Sequence, residues 1–203
     1  MKHYISIIIL AIFLFSCNGH SKHWEAISQV ESYIEERPDS ALVVLEQIVP
    51  SELSSKEEKA KYSLLYSMAL DKNFVDKTDF EVLQPAIDYY KDNGSATDKL
   101  RTYYYQGRIY QNAGNDALAM ECFVNAIYNG KESNDILTKA RTYFAQSHIY
   151  YSLYEWDNFI EANKNSALLF KESGMINSYA NCLNRIINGY TLKEEPNSAW
   201  PYI

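Results

Sequence analysis

Seven residues of a twelve-residue stretch in this chain recur forty positions later. Lys99–Tyr110 reads KLRTYYYQGRIY and Lys139–Tyr150 reads KARTYFAQSHIY, sharing Lys, Arg, Thr, Tyr, Gln, Ile and Tyr. Self-similarity at such a period marks a stack of small helical units, each covering the apolar face of its neighbour. The stretch Lys99–Ile127 contains the first copy and reads as two antiparallel helices with Gly114 in the turn between them. An all-α chain is expected.

At this stretch the chain resembles the tetratricopeptide repeat, a helix-turn-helix unit with a fixed order of large and small residues. Tyr103, Gly107, Tyr110, Ala119, Phe123 and Ala126 stand at its offsets. Gly107 and Ala119 are small enough for close helix approach, and the aromatics fill the space around them. Gln106 and Lys131 depart from the pattern, which favours Leu and Pro there. The resemblance implies an all-α, right-handed α-solenoid of antiparallel helix pairs.

The chain opens with Lys2 and an apolar run from Tyr4 to Phe15, too short to span a bilayer as an anchor and typical of a signal peptide. Leu14-Phe15-Ser16-Cys17 resembles the lipobox of bacterial lipoproteins, which implies cleavage after residue 16 and a diacylated Cys17. Residues 17–23 then read as a polar tether. In lipoproteins of the Bacteroidetes type an acidic cluster after the Cys looks like a surface-export signal; none follows Cys17, so the resemblance implies a lipid-anchored, periplasm-facing place in the cell envelope. His20 and His23 fall in this tether, too few ligands for a structural metal site.

Five units follow, at about 24–50, 54–94, 97–130, 137–174 and 176–203. Trp24, Ile27, Val30, Tyr33 and Ile34 form one apolar stripe, and Pro38 and Pro50 bracket its partner helix. Ser54-Ser55 before Glu57-Glu58 is an N-cap signal. Pro85 interrupts the expected helix from Thr78 to Lys91, kinking or restarting it. In the fourth unit Phe159 and Asn163 replace the usual Ala and aromatic, and a local hydrogen bond is the expected role of Asn163. The fifth unit has Tyr179, Cys182, Leu183 and Ile186 in its first helix. Trp200–Ile203 is expected to supply one turn at most, leaving that helix uncovered.

A formal net charge of -7 and the lack of a basic stripe argue against nucleic acid. Cys122 and Cys182 read as small buried residues. The scan meets no metalloprotease helix motif, nucleophile elbow, phosphate loop or Cys-x-x-Cys pair, so neither catalysis nor a cofactor is expected. Carried over from the tetratricopeptide pattern, the residues facing a partner-binding groove are Arg101, Tyr104, Arg108, Gln111, Arg141, Phe144, His148, Tyr151 and Asn184. Aromatic surface with interleaved Arg is enriched at interface hot spots, so a locally positive groove for a protein or peptide is expected, with the protein as a non-catalytic scaffold or adaptor. Two further resemblances imply other roles. Tyr-rich units with Asp-Ser-Ala-Leu openings are similar to the periplasmic sensory half of Bacteroidetes regulators, of which this chain would be a truncated domain. Glycan-binding lipoproteins of the SusD group also carry such repeats.

Overall fold

The computed structural model describes residues 20–203, and within them the chain is helical throughout, with no strand. The predicted signal peptide and the predicted lipidation site, Cys17, lie outside the described residues. Nine α-helices follow in order: α1 Trp24–Tyr33, α2 Pro38–Glu46, α3 Lys56–Lys72, α4 Gln84–Asn93, α5 Ala96–Asn112, α6 Asp116–Asn129, α7 Ile136–Ser152, α8 Trp156–Glu172 and α9 Ile176–Leu192. Short 3-10 segments occupy Pro50–Glu52 and Pro196–Tyr202. From α5 onward the elements begin at residues 96, 116, 136, 156, 176 and 196, an even stride of twenty.

Local chemistry sets most of the starts. The Ser55 hydroxyl accepts from the Glu58 N–H at 3.1 Å, the cap signalled by the sequence. Ser95 and Asp98 form a reciprocal capping box on α5, Asn115 caps α6 and Asp135 caps α7. Pro85 sits in the first turn of α4, where its missing N–H costs no intrahelical bond. The interruption is therefore a restart, and the helix begins at Gln84 instead of near Thr78.

Neighbouring helices pack consecutively, and the helices α1, α3, α5 and α7 also touch in series. Gly107 explains how closely α5 meets α6: a Cβ there would lie 2.5 Å from Cε1 of the fully buried Phe123. Phe159 and Asn163 are fully buried. The Asn163 side-chain amide donates to the Phe159 carbonyl at 2.7 Å, satisfying the hydrogen-bond expectation for that residue.

The end of the described chain differs from the sequence reading. Residues 196–202 form a 3-10 helix packed on α9, with Tyr202 stacked on Tyr190 at 5.9 Å. Pro196 stands at the first position, where a missing N–H is tolerated, and α9 thus carries a cover that the residue count did not anticipate.

The first described residues are also held more firmly than a tether would be. Glu58 accepts from the backbone N–H of Ser21 at 3.1 Å and from that of Ser54 at 2.8 Å. His20 stacks on Trp24 at 3.7 Å, and Glu52 pairs with Lys22 and His23. Residues 20–23 are thus anchored to the start of α3.

Candidate binding surface

The serial contacts of α1, α3, α5 and α7 bring charged side chains together, and the three arginines of α5 and α7 are all paired. Arg101 donates from Nη1 to Glu31 at 3.0 Å and from Nε to Asp135 at 2.6 Å. Arg108 reaches Asp71 at 3.0 Å and the Gln111 side-chain oxygen at 2.6 Å. Arg141 holds Glu35 through two bonds of 3.0 and 2.8 Å. Lys61 and Lys72 add to Glu31 and Glu35 at 2.6 and 2.7 Å. Burial pushes the Glu35 carboxyl up, but the bonds and charges of Arg141 and Lys72 outweigh it and hold the group below its ordinary value.

The expectation of a positive surface at Arg101, Arg108 and Arg141 therefore gives way to an ion-pair lattice. Each guanidinium has a carboxylate within bonding distance. Tyr104 is a second correction: it is buried, its ring set against Tyr105 and Phe123. The position in α5 that the pattern assigns to a groove faces the core here, and burial pushes the phenol far up.

The remaining predicted residues gather toward α7 and α9. Phe144 is half-buried and meets the His148 ring edge-on at 4.9 Å. His148 is exposed, as is Tyr151, whose ring leans on Trp156 and Phe159. Asn184 on α9 is exposed as well. Desolvation and the charges of Arg185 and Arg108 push the His148 pKa down to about 4.

Arg185 is the residue that the sequence reading missed. Its guanidinium lies over both Phe144 and Phe159, at 5.0 and 4.9 Å from the ring centroids. Nε donates to Asn163 Oδ1 at 3.1 Å and Nη2 to the Ser147 hydroxyl at 3.2 Å. No carboxylate among the described residues lies within ion-pairing distance of it. A sequence signal existed: Arg185 follows Cys182 by three and precedes Gly189 by four, which places it on the buried stripe of α9.

Among the described residues no cluster of His, Cys, Asp or Glu could hold a metal ion, and no helix is long and apolar enough to cross a membrane. A cleft of about 550 Å³ lies apart from these residues, between Pro50, Tyr62, Tyr66 and Pro85. No family model matches the chain, and no curated protein is significantly similar to it.

Proposed function

We propose that the protein is a non-catalytic, tetratricopeptide-like scaffold, a right-handed solenoid that binds a peptide segment of a partner protein and is held at the cell envelope by a lipid on Cys17. The exposed ring surface of His148 and Tyr151 beside half-buried Phe144 carries the reading. Rigid aromatic side chains give contact area at small entropic cost. Asn184 is exposed on α9, and the paired arginines Arg101, Arg108 and Arg141, with Gln111, form a stiff wall on α5 and α7. Partner choice on this reading rests on the aromatic residues, with the ion pairs as support.

Selection from a random peptide library against the purified chain tests the binding role. Enriched sequences whose binding is lost on Tyr151→Ala with unchanged thermal stability are expected; no enrichment would sink it. Intact mass of the membrane-extracted protein, with Cys17→Ser as control, tests the anchor separately.

A further inference from the structure

Arg185 stands apart from the arginines of α5 and α7. Those are matched by Glu31, Asp135, Asp71 and Glu35, whereas Arg185 has only two neutral oxygens and two aromatic faces. A partly buried guanidinium without a counter-ion has lost hydration that neither a ring face nor a hydroxyl fully replaces. Its two internal bonds use the Nε–Nη2 edge, and Nη1 makes no hydrogen bond among the described residues. Nη1 and the outer Nη2 hydrogen therefore remain as an end-on fork, the shape that matches a carboxylate.

The surroundings favour one incoming negative charge. The His148 ring meets Phe144, one of the two rings under Arg185, and Tyr151 leans on Phe159, the other. Arg108 adds to the local positive potential, although its own charge is matched by Asp71. His148 is neutral at ordinary pH and supplies ring surface, not charge. A single unmatched cation beside aromatic surface suits a side-chain carboxylate flanked by other peptide atoms. A phosphate would bring a second charge that nothing here matches.

We propose that Arg185, with His148 and Tyr151 at its rim, is an anion subsite that takes a Glu or Asp side chain of an acidic peptide. The inference rests on the peptide-binding reading and names the chemistry of its partner. It places recognition at α7 and α9, and not on the three arginines of the wall.

Fluorescence anisotropy of labelled hexaglutamate against the full chain, at low ionic strength, tests the subsite. Hexaglutamine and inorganic phosphate serve as comparisons. Binding of hexaglutamate, weakened about tenfold or more in Arg185→Gln and partly recovered in Arg185→Lys, is expected. The His148 imidazole resonances of the unmutated protein should shift on the same titration, which keeps the test valid where Arg185→Gln fails to fold. Equal binding of hexaglutamine, or no loss in Arg185→Gln, overturns the subsite while leaving peptide binding intact. Arg185-dependent binding of phosphate without hexaglutamate overturns the acidic-peptide occupant. Binding of neither peptide also overturns the subsite, and peptide-library selection then decides the broader reading by itself.

Discussion

Glu35 and Arg141, 106 positions apart, meet through two hydrogen bonds of 3.0 and 2.8 Å. Lys72 donates to the same carboxylate at 2.7 Å. The residue just beyond α1, a side chain of α3 and a side chain of α7 thus converge on one acceptor, although the chain runs through four other helices between the first and last of them.

Removing the acceptor should cost more than removing one donor. Glu35→Ala leaves both Lys72 and Arg141 without a carboxylate in a partly buried place, and a loss of about 2–3 kcal/mol is expected. Arg141→Ala leaves Glu35 still paired with Lys72, and about 1 kcal/mol is expected. Urea unfolding of both variants checks the order, and equal losses would show that Glu35 is not the shared centre.

His148 should make stability depend on pH in a defined window. Its folded pKa of about 4 lies below its ordinary 6.5, so between these values the unfolded chain binds more protons. Stability should then fall as the pH drops from 6.5 toward 4 and cease to change on this account below that. Glu35, held below its ordinary 4.5, adds stability that is full above that value and is lost as the pH falls through its folded one. An NMR titration of the His148 ring checks the first part. In Arg185→Gln the midpoint should move upward, and an unmoved midpoint would remove Arg185 as a cause.

Gly107→Ala should destabilise the α5–α6 contact. The new methyl would stand 2.5 Å from Phe123, which is fully buried and cannot withdraw without opening the core. A loss of about 1–3 kcal/mol is expected in denaturant unfolding. A neutral result would mean that the two helices separate easily.

Phe74→Gly should do the reverse. Phe74 holds φ at 60° and is 92% exposed, so it bears left-handed strain with little burial in return. Relief of that strain exceeds the added flexibility of the unfolded chain, and a gain of up to about 1 kcal/mol is expected. A lower melting temperature in Phe74→Gly would show that the exposed ring makes a stabilising contact.

Helix pairing was legible because the apolar spacing and the small residues at Gly107 and Ala119 are local signals, and part of the first helix recurs forty residues on. The cap at Ser55 was equally local. The opposition of Glu31 and Glu35 to Arg101 and Arg141 was not legible. Periodicity tells which face a side chain occupies but not what lies across from that face once several helices have packed. Tyr104 failed for the same reason, since a position assigned by pattern was claimed by the rings of Tyr105 and Phe123. Arg185 was hidden by its charge, which reads as solvent-exposed until the two phenylalanine rings beneath it are seen.

The even stride of the helix starts from residue 96 to residue 196 bears on how such a chain can change in evolution. A copied or deleted block of forty residues would rejoin at equivalent points, each new junction presenting the same kind of surface as the one it replaced. Length could then vary by whole units with the stride kept, provided that interior side chains which differ between units, such as Ala119 and Phe159, are matched anew to their neighbours.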